Sequence, residues 1–175
     1  MKKTFISIVI AVILIIIAFV YINLNYLYNP LTYPNDNIEK YDYSFLTFKK
    51  PIVMQVVKWD EEGQQSFYHY VTDEKKIKNL LEQFDRANKM KDFTIDQYLA
   101  NLPFGERGSE YNIIFRQVER WDHNNVAHGR ILINFTFYKN NDVIEISGVH
   151  FYELKASFKE DILNALSNKD KWITK

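Results

Sequence analysis

Asp122, His123 and His128 are three side chains within seven residues that could ligate a metal. One carboxylate and two imidazoles leave a fourth position for water, the donor set of a zinc site. Their spacing is that of neither an i, i+4 helical pair nor alternate residues of one strand, so no element fixes the ligands in advance. Asp122-His123-Asn124-Asn125 is also a turn signal, because such side chains hydrogen-bond their own backbone. The other histidines sit among aromatics, in Tyr68-His69-Tyr70 and His150-Phe151-Tyr152, and read as packing residues.

Acid–base chemistry needs a carboxyl shielded from water, which raises its pKa. Asp60, Glu61 and Glu62 are adjacent in a turn and point apart into solvent. Glu145, between Ile144 and Ile146, is better placed for shielding, yet strand alternation turns it outward. Residues 103–109 (PFGERGS) hold two glycines, but they lead from a helix into a strand, the reverse of a phosphate-cradling loop. They also lack the G-x-S-x-G of a nucleophile elbow. Asn134-Phe135-Thr136 matches a glycosylation sequon but falls within a strand pattern. The chain has no cysteine, which removes thiolate nucleophiles, disulfides, cysteine–zinc sites and lipid-modified cysteines. No catalytic motif emerges, so the expectation is a protein that is not an enzyme and needs no cofactor.

Aromatics are the remaining signal, at 16% of the 175 residues. They recur along each strand pattern, and alternate members must face away from a single core. Tyrosine offers contact area with a polar tip, and Tyr68, Tyr70, Tyr138 and Tyr152 make the expected interaction face.

The elements that position these residues begin with an apolar run, FISIVIAVILIIIAFVYI, over residues 5–22. As a helix it would be about 27 Å long, close to the hydrocarbon thickness of a bilayer. Lys2 and Lys3 precede it, and the next basic residue is Lys40. The positive-inside bias therefore places residues 1–4 in the cytoplasm and the domain outside, in a single-pass arrangement with lipid as a partner. A cleaved secretory signal shares the basic start. However, the run is longer than an ordinary signal core, and small residues at a cleavage position are missing. The reading is an uncleaved signal-anchor, with Tyr21, Tyr26 and Tyr28 at the outer headgroup level.

Residues 23–50 read as a juxtamembrane connector broken by Pro30 and Pro34, with Tyr41 to Phe48 packing on the domain or pairing at its edge. Residues 51–175 read as an α+β domain. A hairpin (Ile52 to Trp59, Ser66 to Val71) comes first. A helix after Thr72-Asp73-Glu74 carries an apolar stripe at Ile77, Leu80, Leu81 and Phe84, running to about Met90. A short helix opens with a Thr94/Gln97 capping box. Strands Tyr111 to Trp121, Arg130 to Tyr138, Val143 to Ser147 and Val149 to Leu154 follow. A last helix opens at Ser157-Phe158-Lys159-Glu160, again with capping-box spacing. Strands and helices segregate, which predicts a mainly antiparallel sheet of about five strands with two or three helices on one face.

Charge is balanced at 22 basic and 22 acidic residues, so a nucleic-acid partner is not expected. With Lys2 and Lys3 assigned to the cytoplasm, the rest carries 20 against 22. The expected function is that of a membrane-anchored module of a bacterial cell envelope, binding another envelope protein or peptide. Two other readings stand beside it: a metal-dependent hydrolase or metal sensor using Asp122, His123 and His128, and an immunity or inhibitor protein.

Overall fold

The computed structural model describes residues 2–34, 43–59, 65–102, 110–138, 141–146, 150–166 and 173–174. It starts with helix α1 (Lys2–Asn25), 24 residues long. Apolar residues surround this helix on every side, so it has no stripe with which to pack on a core. Its Thr4–Asn25 stretch, of mean hydropathy 3.3, is long and apolar enough to cross a membrane, and none of it is buried.

The chain then enters the domain with no spacer. Leu27 N–H donates to the Phe48 carbonyl (2.8 Å), Lys50 N–H donates to the Asn25 carbonyl (2.8 Å), and Tyr26 pairs with Lys49 in an antiparallel bridge. Leu27, Tyr28 and Phe48 belong to the core. Tyr28, expected among lipid headgroups, is only 1% exposed. Its ring meets Tyr33 and Phe48 edge-on, at 5.7 and 5.6 Å, and Lys78 Nζ lies 5.0 Å from its centre. The ring is buried even though its hydroxyl has no hydrogen-bond partner among the described residues, so the apolar contacts of the ring carry its placement. Tyr21 stays exposed, and Tyr26 packs edge-on against Phe45 at 5.8 Å, beside the 3-10 turn Phe45–Thr47.

Strand β1 (Ile52–Trp59) is the centre of the main sheet. It pairs antiparallel with β2 (Ser66–Val71) on one side and with β4 (Glu110–Trp121) on the other. β4 pairs antiparallel with β5 (Ala127–Tyr138), giving the order β5-β4-β1-β2. The short β8 (Ile173–Thr174) adds to the β2 edge. Ile52 to Val57 are all buried, as a strand apolar on both faces requires.

Helix α2 (Glu74–Asp85) starts where Asp73 Oδ1 accepts from the N–H groups of Lys75 (2.9 Å) and Lys76 (3.2 Å). Its expected stripe packs on the sheet with Phe158, Ile162 and Leu166 of α4 (Ala156–Leu166). Gln83 Nε2 ties the two helices by donating to Asp161 Oδ2 at 2.7 Å. Two local expectations are corrected. α2 stops at Asp85 rather than near Met90, because Asn88–Lys89 forms a ladder with a later strand. α4 starts before Ser157, whose hydroxyl donates to Gln83 Oε1 (3.0 Å) instead of capping. In α3 (Ile95–Ala100) the expected box is present: Thr94 N–H donates to Gln97 Oε1, and Gln97 N–H to Thr94 Oγ1.

The expected single sheet is divided. β3 (Asn88–Lys89), β7 (His150–Glu153) and β6 (Val143–Ile146) form a second antiparallel sheet in the order β3-β7-β6. Ile144, Ile146 and Tyr152 are buried in the main core. By leaving the plane of β5, the small sheet closes a flank of that core which a flat meander would leave open to water.

Candidate functional site

The fold brings Asp122 and His128 together at the β4–β5 turn but does not bring in His123. Asp122 Oδ2 lies 3.0 Å from His128 Nε2, and Asp122 Oδ1 accepts from the N–H groups of Asn124 and Val126, each at 2.9 Å. Hydrogen bonds, first from His128 and then from Val126, hold this carboxyl at about 2, well below its ordinary value. His123 is exposed. Among the described residues no three His, Asp or Glu side chains gather as metal ligands. The work of this carboxylate is to close a turn in which Asn125 takes φ 58°.

The remaining polar candidates are dispersed. His69 is buried and His150 half-exposed, and Glu145 lies half-buried opposite Phe151. Asp60, Glu61, Glu62 and the loop 103–109 fall outside the described residues.

The four tyrosines do not share a face. Tyr152 is fully buried against Phe84, with ring centres 5.8 Å apart, so its assignment to an interaction surface is corrected. It belongs to β7, whose inward side became core once the second sheet folded over. Tyr68 and Tyr70 are half-buried on β2, and Tyr138 is half-buried at the end of β5. Tyr70 lies on the sheet face opposite α2 and α4, packed against Val53, Val118 and Ala127. Its hydroxyl accepts from Ala127 N–H at 3.0 Å, and Trp121 meets its ring edge-on at 5.0 Å. Burial pushes this phenol up, partly offset by the Ala127 hydrogen bond.

A cleft that no sequence pattern announced lies along β5. Ile131, Leu132, Ile133 and Asn134 form one wall, Ile146 of β6 stands opposite, and Tyr43 and Phe84 complete a cavity of about 380 Å³. This is within the range of small-ligand sites. Among the described residues β5 pairs with β4 alone and β6 with β7 alone, so two strand edges without a sheet partner there border the same space. The ladder is irregular here: Ile133 faces Phe115 and Ile131 faces Arg116, so Leu132 is a bulged extra residue. Tyr43 donates its hydroxyl proton to the Leu132 carbonyl, and burial raises this phenol against the opposing charge of Arg130. The polar residues of the lining are Tyr43 and Asn134. Such a lining holds apolar side chains and main-chain amides; it offers neither an acid–base pair nor a nucleophile beside a base.

No protein-family model matches this chain, and neither curated proteins nor solved structures provide a match. The cleft was missed because each wall reads as ordinary strand or helix. The available signal was Asn134 in mid-strand: an exposed amide between buried Ile133 and Phe135 on a strand paired along one edge.

Proposed function

We propose that this protein is a single-pass, membrane-tethered module that is not an enzyme, with its N-terminus in the cytoplasm and its α+β domain outside. In this reading it binds an extended segment of another envelope protein. The observation that carries the reading is the cleft between the edges of β5 and β6. Main-chain groups at a strand edge recognise an extended chain by continuing the ladder, while pockets select its alternate side chains. The space beside Phe84 and Ile146 suits an apolar side chain. The apolar α1 and the basic pair before it support the tether and its direction. Confinement to a membrane raises local concentration, so a modest affinity at the cleft suffices.

Photocrosslinking in intact membranes tests this. Benzoylphenylalanine replaces Ile131 or Asn134 at the cleft, and exposed Lys75 on α2 serves as the control. The expected result is one protein adduct shared by the two cleft positions and absent from Lys75, mapped by mass spectrometry to an extended stretch of the partner. Identical adducts at all three positions would overturn the reading.

A further inference from the structure

Outside α1, the most exposed large apolar side chains among the described residues are Leu31, at 86%, and Leu46, at 57%. Each sits on a turn fastened to the last turn of α1. The Leu31 turn is organised by Asn29, whose Oδ1 accepts from the N–H groups of Leu31 and Thr32, each at 3.0 Å. Asn29 Nδ2 reaches Asn23 Oδ1 on the helix at 3.4 Å. Leu46 lies in the 3-10 turn next to Phe45, whose ring meets Tyr26 just past the helix end. Below that turn, Lys50 N–H binds the Asn25 carbonyl and Lys50 Nζ binds the Asn23 carbonyl at 3.1 Å. Carbonyls at the helix end, which would otherwise need water, are therefore answered by the domain itself.

From these contacts we infer that Leu31 and Leu46 form a lipid-facing collar around the exit of α1, inserting into the acyl–headgroup boundary and holding the domain in one posture on the bilayer. The inference rests on the reading of α1 as a membrane span. The occupant is the bilayer because both leucines stand on turns fastened to the end of α1, whose own last turn keeps Leu24 71% exposed. Exposed leucines gain by leaving water for the interface, and two anchoring points beside a span fix a tilt that one helix alone leaves free. A fixed posture would also hold the β5–β6 cleft at a constant height above the membrane.

The absence of cysteine makes the test direct. Single cysteines replace Leu31, Leu46, Ile13 in α1, or Gln65 at the start of β2, and each carries an environment-sensitive nitrobenzoxadiazole label. The full chain is reconstituted into phosphatidylcholine–phosphatidylglycerol vesicles containing a lipid with a nitroxide on a shallow acyl carbon, for positions 31 and 46, or on a deep one, for position 13. Expected are blue-shifted emission and nitroxide quenching at positions 31 and 46, quenching at 13, and neither effect at 65. Quenching at 13 with water-like emission at 31 and 46 overturns the collar while the span stands. Loss of quenching at 13 as well overturns both.

Discussion

The two faces of the main sheet are built by different means. Toward α2 and α4, Met54, Val56, Ile113 and Phe115 are essentially inaccessible, and Phe84 stacks on Phe135 with ring centres 5.9 Å apart and planes 6° from parallel. On the opposite face, Val53, Val118 and Ala127 make a small apolar cluster edged by Tyr70. Polar contacts hold the rest: Arg116 Nε donates to Gln55 Oε1 at 3.1 Å, and Arg116 Nη1 donates to the Gly129 carbonyl at 2.7 Å. The first face depends on volume, because dispersion and water exclusion scale with the atoms in contact. The second depends on backbone geometry, since among the described residues no helix lies over it.

Phe84→Ala gives the largest effect and tests the volume side of this contrast. It removes a ring touching Phe135 and Tyr152 and also enlarges the cleft beside Tyr43. Urea denaturation should register a loss of about 4 kcal/mol, as for other buried Phe truncations. A loss no greater than that of an exposed residue would mean that the helices do not carry the fold.

Gly129→Ala probes the other side with a single methyl group. Gly129 has φ +148°, and a Cβ there would fall 2.1 Å from the Gln117 carbonyl oxygen and 2.8 Å from the Glu119 nitrogen, both backbone atoms. It faces Val118 at a register shift, where β4 inserts an extra residue before Arg120. The strands must separate or the backbone must change region, so the expected cost is about 2–3 kcal/mol. A thermal melt unchanged from the parent chain would show that the bulge yields easily and that backbone geometry does not control this face.

The same contrast explains what could be read in advance. The α2 stripe, the helix start at Thr72-Asp73-Glu74 and the Thr94/Gln97 box were legible because each is encoded in one short contiguous stretch. Strand β1 was legible in its apolar residues, interrupted at Gln55, but its burial on both faces was not. Ile144-Glu145-Ile146 alternates like any half-buried strand, and alternation does not say which sheet a strand joins. Tyr28 and Tyr152 were misplaced for the same reason: their neighbours, Phe48 and Phe84, come from distant segments. The cleft assembles Tyr43, Phe84, residues 131–134 and Ile146, and it exists only because β6 declines to pair with β5. Asp122, by contrast, was singled out from sequence as a metal-ligand candidate; what sequence lacked was which histidine the turn brings to it, His128 and not His123.

Asp122→Asn gives the smallest effect and resolves what the polar turn contributes. In the folded chain the carboxyl titrates at about 2, against 3.8 for an unperturbed aspartate. A lowered folded pKa means that the unfolded chain binds the proton more readily, so stability rises with pH across that interval. The contribution of Asp122 is therefore complete above about pH 4, declines as pH falls through the window, and is gone once the folded carboxylate is protonated. Asparagine keeps an oxygen for the Asn124 and Val126 N–H groups but removes the charge facing His128. Denaturation midpoints of the parent and Asp122→Asn chains should differ at pH 5 and converge toward pH 2, with the parent the more stable at the higher pH. A difference that persists undiminished at pH 2 would assign the effect to altered turn geometry rather than to the carboxylate charge. The opposite face would then owe less to electrostatics than to the bulge at Gly129.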